Sequence, residues 1–205
     1  VRTPGIHTEE QTAAWSNVTN AVQGAGGRMF CQIMHAGRIS HPSLLPGGAT
    51  PVAPSAVTPQ GQVYTDNGML DYETPRALET EEIASIVAEY AHATSCALDA
   101  GFDGVELHSA SGYLPEQFLS SSTNLRSDGY GGSVANRARF PLEALDAMID
   151  VAGADRVFAQ SHHGLGELLV EPGPQFLQQP VDIGEGLDAA FGPASTWVAT
   201  SLTSL

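Results

Sequence analysis

Between residues 105 and 118 the chain reads VELHSASGYLPEQF. A histidine, two serines and a tyrosine fall within residues 108 to 113, directly after a short apolar run. A neutral imidazole, a hydroxyl and a phenol in one turn, from His108, Ser111 and Tyr113, can hold a carbonyl oxygen and deliver a proton. Tyrosine's ordinary pKa of about 10 keeps it protonated at neutral pH. In a strand, alternate residues face opposite sides, so Val105 and Leu107 share one face while Glu106 and His108 share the other. If helices cover the outside of a closed barrel, Val105 and Leu107 pack against them and Glu106 and His108 point inward. His108 is then the last inward residue at the C-terminal mouth, where barrel enzymes build their sites. A histidine alone is more often structural than catalytic; its companions make this pattern suggestive.

Other constellations carry less. Arg126, Arg137 and Arg139 crowd around Asp128 in NLRSDGYGGSVANRARF, which reads as ion pairs fixing a long loop to the next helix. The alternative is an anion held by the backbone amides of YGGS ahead of that helix. His162 and His163 are adjacent and cannot both face one metal from a regular strand, and no cysteine or carboxylate spacing supports a zinc site. A barrel glycosidase would need two carboxylates flanking the scissile bond. Glu106 lies below the mouth, so a pairing with Glu116 is disfavoured.

Positioning the turn is the task of the flanking elements. Thr8 and Gln11 read as a capping box, and Trp15, Val18 and Val22 recur at helical spacing until GAGG stops the helix. RMFCQIM follows as a buried strand that ends in HAGR. From His41 to Thr74 proline and glycine dominate without periodicity, which predicts an extended loop carrying a hairpin. Thr80 is expected to cap a second helix with Ile83, Ile86, Val87, Tyr90, Ala97 and Leu98 on one face, ended by DAGFDG ahead of the strand GVELHS. A third helix is expected from Ser133 through Phe140, Leu145, Met148 and Ile149, then GADR and the strand VFAQS. Such alternation of helices with short apolar strands is the signature of parallel βα units. Beyond Ser161 the pattern degrades, with GLDAAFG the one strand candidate.

Eight basic residues, all arginine, against 23 acidic ones give a net charge of −15, which disfavours a nucleic-acid partner held by phosphate neutralisation. Cys31 and Cys96 lie far apart within apolar patterns and read as buried free thiols in a reducing compartment. No apolar run reaches the ~18 residues needed to cross a bilayer, and VRTPGIHTEE is unlike a signal peptide. A cytoplasmic protein is expected.

The motifs CQIMHAGRISHP, PVAPSAV, ETPRALETEEI, AGFDGVELHSASGYLPEQFL, NLRSDGYGGSVANRARF and GADRV resemble, in order, the old yellow enzyme family of flavin-dependent ene reductases. The likeness runs over about residues 3–157. It implies a (β/α)8 TIM barrel with FMN bound noncovalently at the C-terminal mouth and NAD(P)H as reductant. The substrate implied is a small-molecule enone or enal, an α,β-unsaturated carbonyl compound whose C=C bond is reduced. His108 and Ser111 would hold the carbonyl oxygen, and Tyr113 would protonate the α-carbon. Gln32 matches the glutamine that binds the flavin pyrimidine ring, and Met34 a position that shapes the substrate pocket.

The chain also departs from the family pattern. Ser111 stands where asparagine or a second histidine is usual, Gln160 where an arginine is expected near the flavin, and Pro193 where another is expected after FG. The expectation is a single partial barrel over 1–205, divergent over 161–205, lacking the first two strands and shortened at its C-terminal part. Exposed barrel edges would invite self-association. A noncatalytic remnant with impaired flavin binding is the alternative to an active ene reductase.

Overall fold

The computed structural model describes residues 3–160 together with the backbone of 195–202. Helix α1 (Glu9–Gly24) opens with the expected capping box: Thr8 Oγ1 accepts from Gln11 N at 3.2 Å, and Gln11 Oε1 accepts from Thr8 N at 3.2 Å. Strand β1 (Arg28–His35) follows. Its odd residues Met29, Cys31 and Ile33 are fully packed into the apolar cluster formed with the helices. Its even residues Phe30, Gln32 and Met34 therefore occupy the opposite face.

The excursion after β1 is the predicted loop, with short strands added. β2 (Val52–Ala53) pairs in parallel with β5 (Arg76–Ala77), and β3 (Gln62–Thr65) pairs antiparallel with β4 (Gly68–Asp71) as a hairpin. Helix α2 (Thr80–Asp99) buries Ile83, Ile86, Tyr90, Ala93 and Ala97, a spacing of three and four residues that forms one apolar stripe. Thr80 does not cap it. Glu79 is the N-cap residue, with its N–H donating to Glu82 Oε2 at 2.7 Å, while the Thr80 hydroxyl is drawn off to Asp128 at 2.6 Å. A tertiary partner outbid the local cap.

Strand β6 (Gly104–His108) lies beside β1 in parallel, with Gln32 opposite Glu106 and Ile33 opposite Leu107. A six-residue helix α3 (Leu114–Leu119) then precedes α4 (Val134–Ala152), which Ser133 caps by accepting from Asn136 N at 3.2 Å. The sequence reading missed α3, because six residues are less than two turns and establish no period. Phe118 of α3 stacks on Phe140 of α4 at 4.4 Å, and Phe140 meets Tyr90 of α2 at 6.3 Å. These rings knit α2, α3 and α4 together. Strand β7 (Val157–Gln160) completes the series on the far side of β6.

A fourth parallel strand, β8 (Ser195–Leu202), pairs with β1 along its whole length, from Arg28 opposite Ser195 to His35 opposite Leu202. The order is thus β7-β6-β1-β8. No strand was expected in STWVATSL, whose mix of small and hydroxyl residues gives little alternation to read. It covers the edge of β1 that the resemblance leaves bare. GLDAAFG, His162, His163 and Pro193 lie outside the described residues. Among the described residues no helix is long and apolar enough to cross a membrane, and both cysteines are free and buried.

Candidate functional site

The sheet face turned away from the helices carries the site. Its base is apolar: the Phe30 and Phe158 rings meet edge to face at 5.5 Å. Above them Gln32 donates from Nε2 to Glu106 Oε2 at 2.8 Å and to Gln160 Oε1 at 3.0 Å. One hydrogen-bonded row thus crosses β1, β6 and β7. Glu106 is partly buried in it, and burial pushes its carboxyl above the usual range, while the bond from Gln32 acts in the opposite sense. Met34 stands half-buried on the same face of β1, one alternation beyond Gln32.

His108 ends β6 and is buried. The chain turns sharply after it: Ser109 N donates to Gln160 O at 3.0 Å, tying the turn to the end of β7, and Tyr113 N donates to Ala110 O at 3.2 Å. Two successive residues take left-handed backbone conformations, Ser111 at φ 59° and Gly112 at φ 78°. For Gly112 this is easy; for Ser111 it carries a steric cost. Gly112 N is received by Glu116 Oε2 at 2.5 Å, so Glu116 stabilises the turn and does not face Glu106 across a substrate. Tyr113 becomes the N-cap of α3, and the buried Leu114 and Phe118 anchor that helix in the core. The result is an edge-to-face contact of the His108 and Tyr113 rings with centroids 4.9 Å apart. Ser111 shares the turn and is exposed.

Gln117, which sequence reading passed over, holds this turn against the loop after β1. Only 2% exposed, it donates from Nε2 to Gly112 O at 2.7 Å and to Ala36 O at 3.1 Å, and accepts from Arg38 N at 3.2 Å. Gly37 packs so closely that a Cβ there would run into the Gln117 amide, and its φ of 58° is left-handed as well. The sequence signal was a glutamine flanked by Leu114, Pro115, Phe118 and Leu119 in LPEQFL. His35, beside this loop, accepts from Gly37 N at Nδ1 at 3.0 Å, and burial lowers its pKa from 6.5 to about 4. It is a neutral structural imidazole at physiological pH.

A second phenol reaches the same region from the hairpin. Tyr72, just after β4, is pushed above the usual tyrosine pKa by burial and then by the proximity of Tyr113. The arginine-rich loop behind the turn behaves as ion pairing only in part. Arg126 pairs with Asp128 at 2.5 Å and donates to Pro54 O and Leu78 O at 3.1 and 2.5 Å. Arg137 instead donates to the carbonyls of Leu119 and Gly132, and Arg139 lies over the Tyr130 ring at 5.7 Å. Carbonyls and a ring replace the expected carboxylates, because Asp128 is already saturated by Arg126, Thr80 and Tyr130 N.

The sequence profile of the NADH:flavin oxidoreductase / NADH oxidase family matches residues 2–161. The chain belongs to this family. Among curated relatives, the flavin oxidoreductase hxnT of Emericella nidulans is 46% identical over 154 residues, 75% of this chain and 39% of that protein. The 12-oxophytodienoate reductase 7 of Oryza sativa subsp. japonica is 44% identical over 157 residues, 75% of this chain and 40% of the relative. Morphinone reductase in complex with tetrahydroNAD aligns at 47% identity and TM-score 0.74, covering 78% of this chain and 46% of that one. The old yellow enzyme homologue from Zymomonas mobilis aligns at 40% identity and TM-score 0.75, covering 77% and 44%. The fold is thus of the old yellow enzyme (β/α)8 type, here an arc of four parallel strands among the described residues. The chain spans about two fifths of the length of the curated relatives it matches. The residue types on this face suit a flavin ring, an amide at Gln32 above the apolar pair Phe30 and Phe158.

Proposed function

We propose that this chain binds FMN over the C-terminal ends of β1, β6 and β7 and serves the reduction of the C=C bond of an enone or enal with NAD(P)H. The observation that carries the reading is the single turn holding His108, Ser111 and Tyr113, with the two rings in contact at 4.9 Å. FMN held here would supply a hydride, taken from the reduced nicotinamide, for the β-carbon of the substrate. His108 and Ser111 donate hydrogen bonds to the substrate carbonyl oxygen and draw electron density away from the β-carbon. Tyr113 gives its phenolic proton to the α-carbon, so hydride and proton together saturate the double bond. Met34 shapes the pocket beside them, and Gln32 faces the flavin pyrimidine edge. Ser111 is shorter than the asparagine or histidine of the family pattern, which weakens polarisation of the carbonyl unless a water bridges the gap. The two buried thiols, Cys31 and Cys96, support a reducing, cytoplasmic setting.

The test is the visible absorption spectrum of the purified chain titrated with FMN, followed by stopped-flow half-reactions of wild type and Tyr113→Phe. A perturbed flavin band is expected. Tyr113→Phe should slow flavin reoxidation by an enone on the order of 10²-fold and leave reduction by NAD(P)H nearly unchanged. Equal slowing of both half-reactions would remove Tyr113 from the proton-donor role. Absence of FMN binding would favour the noncatalytic remnant.

A further inference from the structure

The row Gln32, Glu106 and Gln160 has a property that the reaction outlined above does not use. A primary amide has two N–H groups, and those of Gln32 go to Glu106 Oε2 at 2.8 Å and Gln160 Oε1 at 3.0 Å. The donor capacity of Gln32 is thereby filled by the protein itself. The acceptors come from β6, which adjoins β1, and from β7 beyond it, in a register fixed by the sheet, with Glu106 directly opposite Gln32 and Gln160 directly opposite His108. Both acceptors reach Gln32 from the same side of β1.

Glu106 occupies a position where an apolar side chain would pack above Phe30 and Phe158 without desolvating a carboxyl group. Burial there disfavours its charged form. A carboxylate kept at such a place, with its hydrogen bond spent on a neighbouring amide, is explained by what it does to that amide. We propose that Glu106 and Gln160 are positioning residues that fix the amide plane of Gln32, so that Gln32 presents its carbonyl oxygen, an acceptor, to a ring N–H of the flavin. Recognition at this edge then selects an imide N–H and gives the ring carbonyls no donor from Gln32. Gln160 is the acceptor that makes this possible; a cationic side chain there would donate and leave one Gln32 hydrogen unmatched. This inference rests on the flavin reading.

Two measurements on the full 205-residue chain separate the two claims. The side-chain amide resonances of Gln32 in the 15N-labelled chain without FMN report the hydrogen bonds directly, and FMN fluorescence quenching reports affinity. In Glu106→Leu and Gln160→Ala the Gln32 Nε2 protons should move toward solvent-exposed values, and FMN affinity should fall at least about tenfold. Glu106→Gln, which keeps an acceptor oxygen, should retain the shifted resonances and bind FMN within about threefold of wild type. Unchanged Gln32 resonances in both Glu106→Leu and Gln160→Ala would overturn the proposal, as would unchanged FMN affinity once those resonances have moved. A wild-type chain that binds no FMN refutes the flavin reading and, with it, the presentation of an acceptor to the ring; the fixed amide plane is then upheld or overturned by the resonances alone.

Discussion

Gln117 Nε2 stands 2.7 Å from Gly112 O and 3.1 Å from Ala36 O, a single buried amide bridging the turn after β6 to the loop after β1. Two loops that both border the site are therefore locked together through one side chain. Gln117→Ala would leave two carbonyls and the Arg38 N–H, all part-buried, without this partner. Urea denaturation should show a loss of at least ~2 kcal/mol. Gly37→Ala should cost a similar ~2–3 kcal/mol, since it adds both a clash and a strained backbone. Wild-type stability in either variant would mean that the loops are not coupled as described.

Ser111 pays for its left-handed conformation, φ 59°, without the local hydrogen-bonding aptitude of asparagine. Ser111→Asn should therefore raise stability by roughly 0.5–1 kcal/mol, read as a higher urea midpoint. With FMN bound, the longer amide should also tighten binding of a phenolic ligand that mimics the substrate oxygen. A more stable variant with no gain in phenol affinity would place Ser111 on the turn but outside the carbonyl site.

His35 links acidity to stability. Its imidazole has a pKa of about 4 in the folded chain against an ordinary 6.5. Between those values the unfolded chain binds the extra proton, so stability is full above 6.5, falls as pH drops toward about 4, and levels below it. The loss from this group is on the order of 3 kcal/mol. His35→Asn, whose Oδ1 can accept from Gly37 N as Nδ1 does, should flatten that part of the stability profile. A wild-type profile without slope in this window would contradict the neutral buried imidazole.

Asp128 acts in a lower window. The Arg126 guanidinium holds its carboxyl well below the usual 3.8, helped by the Thr80 hydroxyl and Tyr130 N. Its contribution is present above 3.8 and is lost as pH falls below that value. Asp128→Asn should therefore be less stable than wild type at neutral pH, with the gap closing in strong acid. A gap independent of pH would indicate lost packing in place of a lost ion pair.

Much of the scaffold was legible along the chain. Met29, Cys31 and Ile33 alternate with Phe30, Gln32 and Met34, and the stripe Ile83, Ile86, Tyr90 and Ala97 repeats at helical spacing, because a half-buried strand and a helix each impose a short period. Once β6 was placed, His108 and Tyr113 were bound to lie near its end, since only four residues of turn separate them. Local order of this kind is written in neighbouring residues, and it determined the βα series, the capping box at Thr8, the start of the third helix near Ser133, and the turn that carries the candidate site.

What crosses between elements was decided only by the tertiary structure. Nothing in the order of residues says that Gln117 reaches 81 positions back to Ala36, that Gln32 bonds to Gln160 from 128 positions away, or that the Thr80 hydroxyl turns to Asp128. Nor does the weakly patterned STWVATSL declare that it lies against β1. Such contacts depend on sheet register and loop path, which are set by the packing of the whole chain and leave no period in the sequence. The sequence determined which groups the site has; the fold decided which of them hold one another in place.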